Sequence, residues 1–338
     1  MRRNSNAQRC FSILRYGLWA TSLIVPLSLI AAAGPRVRLA PKFSPGQTLR
    51  YRIESRTTTT GSTTTPILNP EGASQTTETV ILVVRLDVLS TLPASTGAGP
   101  VRFRATYEQS SAKLESDAFD PSQPSLEDQY RRLEGRSFEF SLEPGGQLSD
   151  FKGLEELLPD RSASQTAISW LPGLLSPQRF PREGAVLGRT WKSEQPLSGV
   201  PLAGLTWRAQ STYLRDETCH AAGTDRVAGS TLDPAESCAV ILTRLQIART
   251  RSPDAAATPE EYLRNGLRTS GSWTGSGESL DSVSLASGLL VSSTETTAQE
   301  MDYVIISAAT GSTIRRRGHV QTQSEVTLLS VERAPGPR

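Results

Sequence analysis

The sequence predicts a mainly β protein built from curved antiparallel sheets, half-barrel or sandwich-like, in two related units that each carry a short helix. Along most of the chain, apolar residues alternate with polar ones at a period of two, which is typical of strands with one buried and one solvated face. Few segments show the 3.6-residue period of a helix. A third observation, the composition of the N-terminal segment, predicts an exported protein.

Residues 1–33 have the layout of a secretory signal peptide. Met1–Arg15 holds four arginines and no acid, Tyr16–Ile30 is almost purely apolar, and Ala31–Ala33 supplies small residues for a signal peptidase. The alternative is an uncleaved inner-membrane anchor over residues 16–33, which approach the roughly 20 residues of a membrane-spanning helix. We therefore expect an exported protein of the cell envelope, periplasmic or extracellular. It would meet a membrane only through this segment, if the segment stays uncleaved.

The first β-rich unit is expected over residues 34–152. It should contain three strands, a helix and a hairpin, in the order Thr48–Thr59, Thr79–Ser90, Val101–Ser116, Ser125–Leu133 and Phe138–Leu148. The alternation places one set of apolar side chains on a single face: Val80, Leu82, Val84, Leu86, Val88, Val101, Phe103, Ala105 and Tyr107. A serine N-cap indicates the helix, and Pro144–Gly146 indicates the turn of the hairpin.

A connector and a second unit complete the chain. Residues 153–186 read as a helical segment broken by prolines, and residues 332–338 as a disordered tail. The second unit, residues 187–331, repeats the order of the first: Thr190–Glu194, Leu205–Leu214, Cys238–Thr250, the helix Thr258–Gly266 and Val283–Val291. A further strand is expected at His319–Val331. The second helix begins with a capping-box pattern at Thr258. The repeated order indicates an internal duplication, and chance recurrence of strands and turns is the alternative.

Cysteine usage predicts one disulfide. Removal of residues 1–33 takes Cys10 away and leaves Cys219 and Cys238. In an exported protein such a pair is most simply bonded, and two free thiols are the alternative. Closing the loop between them would contribute about 3 kcal/mol to stability.

Charge and motif content argue against several functions. Loss of four arginines with residues 1–33 changes the formal net charge from +2 to −2, which offers no electrostatic basis for nucleic-acid binding. The two histidines, His220 and His319, disfavour a multi-histidine zinc site or a Ser-His-Asp triad. The sequence lacks a nucleophile elbow, a phosphate-binding loop and a dinucleotide fingerprint. We therefore predict a non-enzymatic protein with no catalytic residue, metal or cofactor.

The connector supplies the candidate ligand-binding residues. Its apolar segment could plug a concave sheet or line a pocket. A ligand would be buried against the inward faces of strands such as Val80–Val88 and Val101–Tyr107. The candidate pocket residues are Trp170, Ile168, Leu171, Leu174, Phe103 and Tyr107. Ordinary packing of the connector in the core is the alternative.

Three sequence segments together resemble segments of a known group of proteins: Pro45–Tyr51, Phe138–Gly146 and Leu187–Trp191. The chain resembles a group of secreted bacterial β-rich proteins of unknown function with two similar halves, over roughly Phe43–Val331. This resemblance implies no catalytic residue, because none is established for the group. At the level of architecture alone, the chain is also distantly similar to periplasmic lipoprotein carriers, which curve an antiparallel sheet around helices and hold acyl chains.

These observations favour a non-catalytic envelope protein that binds a lipid, another hydrophobic ligand or a partner protein on its curved sheet. The first alternative is a structural or scaffold protein without a pocket. The second is a hydrolase that uses carboxylates, which would require acidic side chains clustered in one cleft.

Overall fold

The structure is a computed structural model that describes residues 36–63, 74–94, 97–117, 126–157, 168, 170–175, 180–197, 199–219, 236–249 and 258–332. By its internal contacts the chain divides into Met1–Ala33 and Gly34–Arg338, and every described residue belongs to the second unit. The predicted signal segment therefore lies outside the described residues. Glu332, the first residue of the predicted tail, ends the last strand, and the rest of that tail also lies outside them.

Eleven of the described strands form one sheet. They are, in chain order, β2 (Thr48–Thr63), β3 (Ser74–Ala94), β4 (Gly97–Ser116), β5 (Ser137–Leu142), β6 (Leu148–Lys152), β8 (Thr190–Pro196), β9 (Leu205–Thr218), β10 (Ser237–Arg249), β11 (Leu267–Ser284), β12 (Leu290–Ser307) and β13 (Thr313–Glu332). The short strands β1 (Arg36–Val37) and β7 (Ala185–Val186) pair with each other in a separate two-stranded sheet.

The large sheet is an open antiparallel meander with the order β6-β5-β4-β3-β2-β13-β12-β11-β10-β9-β8. The first long strand pairs with the last, so both predicted β-rich units contribute to one sheet. In this seam Tyr51 lies opposite Leu328, and Gly61 lies opposite Gly318. The edge strands β6 and β8 do not pair with each other. The predicted mainly β, antiparallel class is confirmed, and the open sheet is consistent with the predicted curvature.

One face of the sheet, here the inner face, carries Leu49, Tyr51 and Ile53 of β2 and the side chains in register with them; the opposite face is the outer face. The alternation predicted for β3, β4 and β5 is confirmed, because these inner-face side chains are all buried: Val80, Leu82, Val84, Leu86, Val88, Phe103, Ala105, Tyr107, Phe138, Phe140 and Leu142. The outer face carries charged pairs, such as Arg104 with Glu139 at 2.8 Å.

The described helices are short: α1 (Leu126–Arg131), α2 (Leu154–Leu157), α3 (Leu171–Leu175) and α4 (Glu260–Arg264). The helices predicted at 125–133 and 258–266 are therefore present as α1 and α4. The predicted capping box is wrong, because α4 has no side-chain cap. The hydroxyl of Thr258 instead accepts a 2.9 Å hydrogen bond from the backbone N–H of Thr269 and donates one of 3.1 Å to its carbonyl oxygen, which ties the start of α4 to β11.

The strands β11, β12 and β13 are longer than the sequence pattern predicts. The pattern indicated only Val283–Val291 and His319–Val331, whereas β11 and β12 each span 18 residues and β13 begins at Thr313. The parts of these strands that the pattern did not predict carry small or polar residues on the inner face, such as Gly277, Ser279 and Thr297. Backbone pairing, and not a stripe of apolar side chains, defines these strands.

The main core lies at the end of the sheet where β2 begins and β13 ends, here the core end. It unites apolar inner-face side chains from both sides of the seam with Leu39 and with the helices α1, α2 and α3. The opposite, distal end contains a second small cluster, formed by Val200, Leu202, Leu205, Ile247 and Tyr303.

Candidate functional site

The structure brings the predicted pocket residues together at the core end of the sheet. Phe103 and Tyr107 of β4 are buried in the main core together with Leu171 and Leu174 of α3. Ile168 and Trp170 pack against that core and are half buried. Their role as the lining of a ligand pocket stays a prediction.

Aromatic contacts order the inner face of the sheet at the core end, and one of them joins the connector to β4. Trp170 meets Tyr107 edge to face with ring centroids 6.4 Å apart. Phe103 stacks on Phe140 at 5.4 Å and receives the edge of Phe43 at 5.0 Å. These separations are those of favourable aromatic pairs. The sequence-predicted Trp170 therefore anchors the connector to the inner face of β4.

Among the residues that the structure describes, a small cavity lies between α3 and the sheet. The cavity there measures about 10 Å³, which is roughly the room needed by one water molecule. Its lining is mostly apolar and consists of Pro41, Gly173, Leu174, Phe180, Val283, Gly288 and Leu290. An apolar ligand would reach the apolar side chains that line this cavity only by taking the place of side chains of the connector.

Half-buried apolar side chains also lie in and next to the connector. We call this set the connector rim: Phe151, Leu157, Ile168, Trp170 and Phe180. All of them pack against the main core and keep part of their surface accessible. The rim is an apolar surface that continues directly into buried core.

The predicted disulfide is present. Cys219, directly after β9, is bonded to Cys238 of β10, with Cα atoms 5.0 Å apart. Both cysteines are buried in the main core. The backbone N–H of Cys219 also donates a 2.8 Å hydrogen bond to the carbonyl oxygen of Glu236, so the bridge closes two neighbouring strands at the core end.

A second candidate site, which the sequence analysis missed, lies on the outer face at the distal end. It is a depression of about 380 Å³ across β2, β13, β12 and β11. The side chains that line it are polar or charged and share one face by strand register: Thr60, Ser62, Ser272, Thr274, Glu300, Asp302 and Arg317. The residues Gly61, Met301 and Gly318 lie between them in the lining.

Ion pairs organise the charged side of this depression. Asp302 accepts hydrogen bonds from Arg315 through both carboxylate oxygens, at 2.8 and 2.7 Å, and a third from Arg317 at 3.2 Å. The guanidinium of Arg315, and then that of Arg317, hold the pKa of Asp302 below its ordinary value. Glu300 contacts Nδ1 of His319 at 2.6 Å. The sequence signal for this site was the placement of like charges at every second position of β12 and of β13. Which acidic residue faces which basic residue is evident only from the register of the two strands.

Within the described ranges, no three His, Cys, Asp or Glu side chains are placed to share a metal ion. In the same ranges, no helix combines the length and the apolar character needed to cross a membrane.

One solved structure, described as "Lipid-protein interactions in lipovitellin", is similar in its backbone. The TM-score is 0.46 and the sequence identity is 10%, over 88% of this chain and 26% of that chain. This chain therefore spans about a quarter of the length of that chain. No protein-family model matches the chain, and no curated protein matches it. The resemblance to secreted bacterial proteins with two similar halves stays a prediction.

Proposed function

We propose that this chain is an exported, non-catalytic binding protein of the cell envelope, and that it holds a lipid or another apolar ligand on the inner face of its sheet. The ligand would lie against the connector rim, with a partner protein that presents an apolar segment as the second candidate occupant. Burial of apolar surface, worth about 25 cal/mol per Å², would drive the association.

The packing of α3 against the inner face of the sheet is the observation that supports this proposal. An apolar segment of the chain itself, with Leu171, Leu174 and Leu175 buried, packs in the main core on the inner face of the sheet. The inner face therefore accepts apolar groups that arrive from outside the sheet. Half-buried side chains such as Ile168 and Trp170 leave apolar surface at the margin of this contact, where an acyl chain could bind.

The charged groups of the outer depression are better suited to binding than to acid–base chemistry. A general acid needs a pKa close to the working pH, whereas the guanidinium groups of Arg315 and Arg317 lower the pKa of Asp302. An Asp302 carboxylate that stays ionised is a fixed acceptor. Asp302 is therefore unsuited to the role of the general acid that the hydrolase alternative requires.

The test is native mass spectrometry with lipid extraction, on protein purified from the periplasm of a host that exports the full chain. We expect a co-purifying acyl species, lost in Trp170→Ala but retained in Trp207→Ala. Trp207 is the matched control, because it is also half buried but packs in the distal cluster. A protein free of lipid that captures no added fatty acid would contradict the proposal and favour the scaffold alternative, in which the open edges of β6 and β8 make the contacts.

A further inference from the structure

The outer-face depression has no part in the function proposed above, because it lies on the opposite side of the sheet from the connector. Its polar lining residues alternate along β2, β11, β12 and β13 with Gly61, Trp273, Met301 and Gly318, which share the inner-face register of Tyr51. We propose that this depression is a binding site for a neutral saccharide of one or two rings.

The hydrogen-bonding character of the lining matches such a ligand. Hydroxyl side chains both donate and accept, carboxylates accept, and a guanidinium donates, so the lining offers both functions at close spacing. Elsewhere on the sheet, cross-strand hydroxyls bond each other, as Thr57 does with Thr322 at 3.2 Å and Ser211 with Thr243 at 2.9 Å.

The hydroxyls of the depression differ from those pairs. None of these hydroxyl groups forms a hydrogen bond with any other residue that the structure describes; they belong to Thr60, Ser62, Ser272 and Thr274. They are therefore available to the hydroxyl groups of a ligand, which also donate and accept.

The charges of the depression favour a neutral ligand. The two carboxylates of Asp302 and Glu300 are balanced in number by the two guanidinium groups of Arg315 and Arg317, both of which pair with Asp302. A phosphate would have to compete with Asp302 for the guanidinium groups, and a cation would have to compete with those groups for the carboxylate. A sugar hydroxyl can bond lone pairs of the two carboxylates and N–H groups of Arg317 without breaking the ion pairs.

The floor of the depression is backbone. Gly61 and Gly318 share the inner-face register, so only their backbone atoms line this outer-face depression. The depression has a volume of about 380 Å³, near the lower end of the range of about 300–1,000 Å³ found for ligand pockets. We infer from it a ligand of one or two rings.

Saturation-transfer difference NMR on the mature protein tests this proposal with three probes: glucose, N-acetylglucosamine and maltose. We expect transfer to the ring protons of at least one sugar. The variants Asp302→Asn and Arg317→Gln should weaken binding by about tenfold or more, because each removes a charge-assisted hydrogen bond. Glu325→Gln, on the outer face of β13 but not among the residues that line the depression, is the matched control and should bind as the native protein does.

Thr274→Val keeps the test independent of the ion pairs. It removes a single exposed hydroxyl while leaving Asp302, Arg315 and Arg317 in place, and we expect weaker sugar binding with an unchanged circular dichroism spectrum. Absence of transfer with all three sugars would overturn the proposal. So would equal binding by native protein and Thr274→Val, or binding of inorganic phosphate or choline in place of the sugars. Loss of acyl binding in Trp170→Ala would leave this result unaffected, so the two sites are tested separately.

Discussion

The phenolic hydroxyl of Tyr51 donates a buried hydrogen bond of 3.1 Å to the carbonyl oxygen of Leu290, although β13 lies between their strands. Two strand spacings amount to about 9.5 Å in a flat sheet, so the contact is consistent with curvature across the seam. Burial also raises the pKa of Tyr51, which keeps the phenol protonated and able to donate. The bond links the first long strand to the start of β12 at the core end.

Tyr51→Phe should lower the free energy of unfolding by about 1–3 kcal/mol. The ring is retained, but the buried carbonyl oxygen of Leu290 loses its donor from this side chain. Urea denaturation followed by fluorescence measures the difference. Tyr262→Phe on α4, a half-buried tyrosine outside the main core, is the control and should change stability by less than about 0.5 kcal/mol. Equal losses in the two variants would contradict the role given to the Tyr51 hydroxyl.

The alternation of apolar residues predicted the part of the sheet that has a filled inner face. Val84 and Phe103 lie at period-two positions and are buried, so β3 and β4 were readable from the sequence. Much of β11 and β12 could not be predicted from the sequence, because positions such as Gly277 and Ser279 face inward without an apolar side chain. Those strands depend on their neighbours for backbone hydrogen bonds, and this dependence leaves no local signal.

The candidate sites divide in the same way. The cluster around Trp170 was predictable, because an apolar segment between two β-rich regions must bury its side chains somewhere. The outer depression could not be predicted from the sequence, because Asp302 and Arg317 become neighbours only when β12 and β13 pair in their observed register. Ser62 and Ser272 join them from strands that are distant in sequence.

Glu78→Gln should stabilise the protein at pH 7. Glu78 lies on the inner face of β3, and burial raises the pKa of its carboxyl group. A carboxyl group with a raised folded pKa contributes stability below its unfolded pKa and loses that contribution as pH rises through the folded pKa. The gain of the variant should therefore appear above about pH 4.3, the ordinary value for glutamate, and vanish in more acidic solution. Urea denaturation from pH 3.5 to 8 measures it.

Glu139→Gln is the control for this pH dependence and should have the opposite sign. The guanidinium of Arg104, and then that of Arg102, lower the pKa of Glu139. Its contribution is present above the unfolded pKa and is lost as pH falls through the folded pKa, so the variant should be less stable at pH 7 and equal to the native protein in acid. The same sign for both variants would contradict the assigned environments.

Reduction of the bond between Cys219 and Cys238 should lower the free energy of unfolding by about 3 kcal/mol, from the chain entropy of the loop of sequence separation 19. The paired substitution Cys219→Ser with Cys238→Ser should give a similar loss without reductant. Intact-mass measurement before and after reduction confirms the redox state, and urea denaturation gives the energy. A reduced protein as stable as the oxidised one would mean that the bridge does not constrain the unfolded chain.

Gly271→Ala should disturb the distal end strongly. Gly271 has φ +142°, and a Cβ atom there would lie 2.3 Å from the carbonyl oxygen of Asp302 on the neighbouring strand. The strand must shift to accept it, so we expect a loss of about 2 kcal/mol or more. Gly311→Ala is the matched control: φ is +67° but nothing lies within 4 Å of the added atom, so only the backbone cost of about 1–2 kcal/mol remains. Thermal denaturation that ranks Gly311→Ala as the more damaging change would contradict this reasoning.

Leu174→Ala should convert the small space beside α3 into a cavity that takes up an apolar molecule. Leu174 is buried in the main core and already borders that space together with Phe180 and Leu290. Removing its side chain should lower the free energy of unfolding by about 2–5 kcal/mol, because the surroundings collapse only in part. A dry apolar cavity binds benzene, so benzene should raise the melting temperature of the variant and leave that of the native protein unchanged.

Leu263→Ala is the control for the cavity, since Leu263 of α4 is exposed, and it should neither lose stability nor respond to benzene. A benzene effect confined to Leu174→Ala would establish that the inner face under α3 accepts an apolar molecule once a connector side chain is removed. That is the physical condition that the proposed acyl ligand must meet. A variant that loses stability but ignores benzene would indicate that the core closes over the missing side chain, and the acyl ligand would then be confined to the connector rim.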